Sequence, residues 1–286
     1  MTSQSTLCEV ERPMKKTKKL PYVLGCSGGK DSVATLLLAK LYEEPLDEVI
    51  FAEVMFDKET SGEYPEHIEF IKTVLKPWVE QYMGVPFTIV HGSKTYCDNF
   101  KHICVKGKNL GKHCGYPLRG KCAMNGYGKR DAIRRYLKDK YPQGCYEYVG
   151  IAIDEPTRLD RLHNHPFKRS LLEKYGYTEL DAKELCEAYG LYSPSYEVSK
   201  RNGCWFCPNI ADTALAHIVD NHTNLVNKLM TLEFKTQKSP EDFAAPMFRH
   251  DETFLEAVKR LQKKGLSHRR LIWVDFTGVR CPDEDD

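Results

Sequence analysis

The run Ser27-Gly28-Gly29-Lys30-Asp31-Ser32 stands directly after the apolar stretch 22–26 and directly before the apolar stretch 33–38. That order predicts a buried strand, a tight glycine turn, and a helix whose first free N–H groups point into the turn, which together make an anion site. Lys30 adds a mobile positive charge, Ser27 and Ser32 add hydroxyl donors, and Asp31 can cap the helix or help to hold magnesium. The spacing is not that of a Walker A loop, which has four residues between its first glycine and Gly-Lys-Ser/Thr. A phosphate cradle is therefore expected at Ser27 to Ser32, with an ordinary glycine-rich turn as the plainer alternative.

A second constellation is Cys204-Trp205-Phe206-Cys207-Pro208. Two thiolates separated by two residues can grip one metal or cluster from a tight turn, and proline after cysteine is common at iron–sulfur sites. Four ligands are expected, and Cys104, Cys114 and Cys122 lie upstream in a loop rich in Gly and Lys. A compact zinc ribbon would place its second half within about 20 residues, which this sequence does not. Ligation over that range would pin the loop to the C-terminal module. No spacing links His102, His113, His163, His165 or His217 to a zinc-hydrolase motif, so they are left unassigned.

The elements that must position these groups follow from apolar patterning. Residues 48–56 read as a buried parallel strand, 66–83 as a helix, 86–90 as a third strand, 129–140 as a helix and 146–153 as a fourth strand. Strands alternating with helices predict a doubly wound α/β sheet, mainly parallel. Apolar spacing near the helical period over 211–236 and 252–264 predicts a small helical module at the end of the chain, with Trp273 to Phe276 packed back onto the core. The expected division is a basic tail over 1–20, a nucleotide-binding domain over 21–190, and a cysteine-containing helical module over 191–286.

The 286 residues are 41% hydrophobic, ordinary for a globular chain that can bury a core. No apolar run reaches bilayer-spanning length and no signal-peptide pattern is present, so a cytoplasmic protein with no membrane partner is expected. Eleven cysteines in that compartment are read for metal or catalysis before disulfides. The net charge of +2 hides an uneven distribution. Within 101–140 the Lys and Arg side chains face only Asp131 and Asp139. Such a surplus suits either a nucleic acid tracked along its backbone, with Tyr96, Tyr116 and Tyr127 as stacking surfaces, or a solvated basic face.

The Ser27–Ser32 run resembles the PP-loop of the ATP pyrophosphatases, which grip the β,γ-pyrophosphate of ATP and cleave between the α and β phosphates. Further landmarks resemble the phosphoadenosine phosphosulfate (PAPS) reductase-like branch of that superfamily. They are Gly62-Glu63-Tyr64-Pro65, Lys121-Cys122 followed by Lys129, Gly150 to Glu155 with Arg158, and Gly203-Cys204-Trp205-Phe206-Cys207-Pro208 preceded by Ser193-Pro194-Ser195-Tyr196. The likeness covers roughly 20–210. It implies an adenine nucleotide alpha hydrolase-like fold, with Lys30, Asp31, Lys129 and Arg158 as catalytic residues. Ser27, Gly28, Gly29, Lys30, Asp31, Ser32 and Asp57 would bind ATP and Mg2+. In that branch the cysteines often hold a [4Fe-4S] cluster. The role is carried onto Cys122, Cys204 and Cys207, with Cys114 preferred over Cys104 as the fourth ligand and Zn2+ as the alternative metal.

One departure matters. The sulfonucleotide reductases attack sulfate with a cysteine in a Glu-Cys-Gly-Leu/Ile-His tail, whereas here the tail reads Val279-Arg280-Cys281-Pro282-Asp283. Acidic neighbours oppose thiolate formation at Cys281. The resemblance therefore favours an enzyme that adenylates a substrate and transfers sulfur to a nucleic acid (tRNA or DNA) or nucleotide, served by a sulfur-donor protein. A sulfonucleotide reductase, or a binding protein with a structural metal, are the alternatives.

Overall fold

The computed structural model describes residues 19–116, 122–199 and 201–269. The basic tail, Lys121, the segment Trp273 to Phe276 and Cys281 lie outside the described residues.

Five strands form one sheet: β1 (Tyr22–Gly25), β2 (Glu48–Glu53), β3 (Phe87–His91), β5 (Tyr146–Tyr148) and β6 (Lys168–Arg169). The spatial order is β3-β2-β1-β5-β6 and every pair is parallel. Strand β2 is buried along its whole length, as a two-sided parallel strand must be. Helix α1 (Lys30–Leu41), the helical rod over 65–83 and the helix Glu179–Ala188 share one apolar cluster with β1 and β2 on one face. The helix Asp131–Lys140 contacts β2 and β3 from the other face. The chain is thus a doubly wound α/β sheet, as its patterning predicts. Strand order reverses between β1 and β5, and in such sheets ligands bind at that crevice, beyond the carboxyl ends of the strands.

A second cluster gathers Phe56, Tyr96, Trp205 and Phe206 with the helices Asp212–Asn221, Thr223–Lys238 and Phe254–Lys263. The C-terminal helical module is therefore present, although the helix expected over 211–236 breaks at His222. Strand β4 (His113–Gly115) pairs with β7 (Phe243–Ala245), so backbone hydrogen bonding pins the 101–116 loop to this module. Among the described residues no helix is long and apolar enough to cross a membrane.

A buried carboxylate braces the sheet. Glu48 is fully buried in β2, and its oxygens accept from Tyr136, Lys140 and Tyr141 at 2.6, 2.9 and 2.7 Å and from Thr88. Burial pushes its carboxyl up, but those donors outweigh burial and hold it below its ordinary 4.5. Glu48→Ala strands several donors, so an expected loss of about 1–3 kcal/mol follows, read as a lower urea midpoint at neutral pH. A depressed carboxylate stabilises above its unfolded value and loses that contribution as pH falls through the folded one. The gap between wild type and variant should therefore close on acidification below 4.5.

Candidate nucleotide and thiol cleft

From the end of β1 the chain turns through Ser27, Gly28 and Gly29 into α1. Gly28 has φ +71°, and a Cβ there would lie 2.2 Å from Ile71 Cδ1 and 2.8 Å from His67 Cε1. Both backbone conformation and space demand glycine. Gly28→Ala is expected to cost about 1–3 kcal/mol of stability and to weaken ATP binding, as measured by thermal melting and calorimetry. Within the turn, Gly29 N–H donates to Ser27 Oγ at 3.3 Å and Ser32 Oγ donates to Gly29 O at 2.9 Å. The N-cap of α1 is Gly29, with no side-chain cap. Asp31 is therefore not a cap: its carboxylate pairs with Lys30 Nζ at 2.8 Å.

The loop is braced from behind by a residue that the sequence pattern does not flag. His67 is buried, with Nε2 2.9 Å from Ser27 O and Nδ1 2.9 Å from Ser193 Oγ. Burial lowers its pKa, so the ring is neutral. A carbonyl only accepts, so Nε2 carries the proton and Nδ1 accepts from Ser193. Ser193 Oγ is 2.9 Å from Ser195 Oγ, which contacts the Asn202 side-chain amide. Because Ser193 donates to His67, Ser195 donates to Ser193. Turning the Asn202 nitrogen toward Ser195 then completes the chain and satisfies the buried Nδ2 that otherwise lacks a partner.

At the mouth of the loop Lys30 Nζ also lies 3.2 Å from Glu179. The carboxylates of Asp31, Glu155 and Glu179 lie within 4.8 Å of one another. Burial pushes Asp31 up against the pull of Lys30, and Glu179 and Glu155 push further. Burial opposes the Lys30 ammonium, but Asp31 and Glu179 outweigh it and raise its pKa. Three clustered carboxylates, two of them paired with Lys30, fit a hard cation that keeps phosphate and water as its other ligands. Arg158 pairs with Glu155, which brings it to this corner. A Cβ on Gly150 would meet Asp31 C at 2.6 Å, so the chain leaving β5 must lie directly against the first turn of α1.

The thiols stand on an interlock of two motifs. Tyr64 N–H donates to Gly203 O and Trp205 N–H donates to Gly62 O, each at 3.1 Å. A Cβ on Gly62 would lie 2.6 Å from Phe206. Lys129 Nζ is 2.9 Å from Glu63 Oε1. Burial opposes its charge, but Glu63 and Cys204 outweigh burial and hold the ammonium above its ordinary value. Burial and then Glu63 push the Cys204 thiol well up, while Lys129 pulls it down. Cys122 and Cys207 lie within electrostatic range of Cys204.

Cys114 does not join them. Its Sγ lies 3.7 Å from Cys104 Sγ, and burial and that neighbour raise its pKa to about 11. A fourth thiol in the same electrostatic neighbourhood is Cys97, which no spacing in the sequence marks. The fully buried Tyr96 feels the charges of Cys97, Cys207, Cys204 and Cys122, and its hydroxyl has no hydrogen-bond partner. A buried orphan donor within electrostatic range of four thiols fits a cluster whose sulfides accept hydrogen bonds. Asp57 is held by groups outside the phosphate loop. Its Oδ1 accepts from Thr60 and Glu59 N–H at 2.7 and 3.0 Å, closing a turn, and its Oδ2 pairs with Lys228 at 2.5 Å.

A cleft of about 900 Å3 opens beside the thiols, next to but not lined by the Ser27–Ser32 loop. Its walls include Tyr196, whose hydroxyl accepts from Lys30 N–H at 3.2 Å, and also Cys204 and Cys207.

No protein-family model matches this sequence, and no curated protein matches it. Among solved structures the chain is similar to the U34-tRNA thiolase NcsA from Methanococcus maripaludis with its [4Fe-4S] cluster, at 15% identity and a TM-score of 0.37, covering 88% of this chain and 73% of that one. That likeness is too distant to carry an inference.

Proposed function

We propose that this chain is a PP-loop ATP pyrophosphatase-type enzyme that adenylates an acceptor, releases pyrophosphate and passes sulfur to the activated acceptor. The observation that carries this reading is the cleft lined by Cys204, Cys207 and Tyr196, the last of which touches the phosphate loop at Lys30 N–H. A reaction that couples ATP cleavage to thiol chemistry needs both ends of such a cleft.

In this reading the N–H groups of Gly28, Gly29 and Lys30, with the hydroxyls of Ser27 and Ser32, hold the β and γ phosphates. Asp31, Glu155 and Glu179 hold Mg2+ against the phosphate oxygens, and Lys30 neutralises the charge that develops as pyrophosphate departs. An acceptor oxygen attacks the α-phosphorus, the bond to the α,β-bridging oxygen breaks, and its electron pair leaves with pyrophosphate. A sulfur species then displaces AMP. Arg158, paired with Glu155, would steady the α-phosphate. Lys129 pairs with Glu63 and serves as counter-charge to the thiolates. Cys122, Cys204 and Cys207, with Cys97 beside them, would hold a [4Fe-4S] cluster, which when bound supplies sulfur for the transfer.

The acceptor is proposed to be a nucleic acid, tRNA or DNA, bound through 101–140. Of the basic side chains there, Lys106, Lys108, Lys112, Arg130 and Lys138 have no carboxylate partner among the described residues. Chromatography of the nucleotides formed from Mg·ATP with bulk tRNA or DNA, without oxygen, tests the reading. AMP and pyrophosphate are expected, whereas ADP and phosphate would exclude it.

A further inference from the structure

Outside the cleft, the start of the 65–83 rod meets the joint between the helices Asp212–Asn221 and Thr223–Lys238. There Glu66 Oε1 lies 2.7 Å from His217 Nε2 and 3.1 Å from His222 Nε2. One ligand atom from each of the three lies within 4.8 Å of the others. His217 projects from the last turns of its helix. His222 occupies the break itself, at φ −122° and ψ 71°, so it belongs to neither helix and its ring is aimed by the kink. Three elements distant in sequence thus converge two imidazoles and a carboxylate on one point.

Hydrogen bonding alone leaves this group incomplete. Both imidazoles crowd onto Oε1, while Glu66 Oε2 is buried with no partner. A carboxylate carries two accepting oxygens, and leaving one buried and unpaired is unfavourable. A dication bound by both Nε2 atoms and the carboxylate would satisfy all three side chains. It would need each ring to carry its proton on Nδ1. Without metal each Nε2 donates to Glu66 Oε1, so binding moves each ring's proton to Nδ1, and the Asn221 Nδ2 contact to His217 Nδ1, at 3.4 Å, is too long to oppose that.

We propose that Glu66, His217 and His222 form a binding site for a zinc-type divalent transition metal. Imidazole and carboxylate donors suit Zn2+ rather than Mg2+ or Ca2+, and three protein ligands leave a fourth position for water. The residue after Glu66 is His67, the brace of the phosphate loop. A metal here therefore clasps the C-terminal helical module to the helix that positions the nucleotide turn. This site does not depend on the sulfur-transfer reading, since none of its ligands is a thiol.

Cobalt(II) titration of the metal-stripped full-length protein under anaerobic conditions is the test, because cobalt reports its ligands by absorption. One equivalent is expected with weak visible bands and no sulfur-to-cobalt charge transfer, in addition to any thiolate-bound cobalt. The same equivalent should be lost in a His217→Gln, His222→Gln double variant. Glu66→Gln keeps a hydrogen-bond acceptor for both rings but removes the charged ligand, so it should fold normally and bind this equivalent at least tenfold more weakly. Zinc should raise the melting temperature of wild type by more than that of Glu66→Gln. Cobalt bound only with a sulfur signature, or equal binding by wild type and Glu66→Gln, would overturn the proposal.

Discussion

Lys30→Ala is expected to lower ATP turnover by about 10²- to 10³-fold, the size of effect seen when one preorganised charge-stabilising donor is removed from an active site. Lys30 is the side-chain cation paired with the Asp31 and Glu179 carboxylates at the mouth of the loop. Without it, the charge developing on departing pyrophosphate is met only by backbone N–H groups and whatever cation the carboxylates hold. The melting temperature should barely move, because pairs this exposed contribute about 0–1 kcal/mol each. Asp31→Asn keeps the shape of the side chain and removes a ligand charge, so it should raise the Mg2+ concentration needed for half-maximal rate. Steady-state pyrophosphate release alongside a melting curve checks both variants. Wild-type turnover by Lys30→Ala would show that the loop is only a structural turn.

Replacing Cys204 and Cys207 together with serine is expected to abolish iron binding and to lower the melting temperature of anaerobically purified protein substantially. Structural metal sites stabilise through the binding free energy itself. In the metal-free chain burial pushes both thiols up, so they are protonated and serine is nearly isosteric. The variant should therefore melt close to metal-free wild type rather than unfold outright. Cys114→Ser should leave iron content unchanged, since the Cys114 sulfur faces that of Cys104 at 3.7 Å. Cys97→Ser should reduce it. Iron and sulfide assays across these variants check each statement, and undiminished iron in the double variant would remove the Cys-x-x-Cys segment from the metal site.

Much of the site is legible in the sequence because it is local. Ser27 to Ser32 lies between a strand and a helix that its own flanking residues dictate, and Cys204-x-x-Cys207 sits in one turn. Contacts made by the tertiary fold are less legible. Glu179 meets Lys30 only because the helix Glu179–Ala188 packs on α1, and no short-range pattern marks it. His67 reads as one more helical residue until the sheet brings Ser27 against it. The strand expected over 146–153 stops at Tyr148, because Gly150 must press against the first turn of α1 and Glu155 folds back to accept from Ala152 N–H. Asp57 misleads for the opposite reason. An aspartate after a strand is equally suited to closing a turn, and here the N–H groups of Glu59 and Thr60 take it. Cys97 carries no spacing signal at all, and only the fold sets it beside the other thiols.

The coupling of the two ends of the cleft is tested most directly by recording the absorption and paramagnetic resonance spectra of anaerobically reconstituted protein while Mg2+ and α,β-methylene-ATP are added. A nucleotide held at the Ser27–Ser32 loop would lie beside Tyr196, which lines the cleft that also includes Cys204 and Cys207. The expected result is an iron–sulfur spectrum that shifts on saturation with the analogue, and that fails to shift in Lys30→Ala. A spectrum unchanged by an analogue that calorimetry shows to be bound, or a protein that takes up no iron, would contradict a shared site for ATP cleavage and sulfur transfer.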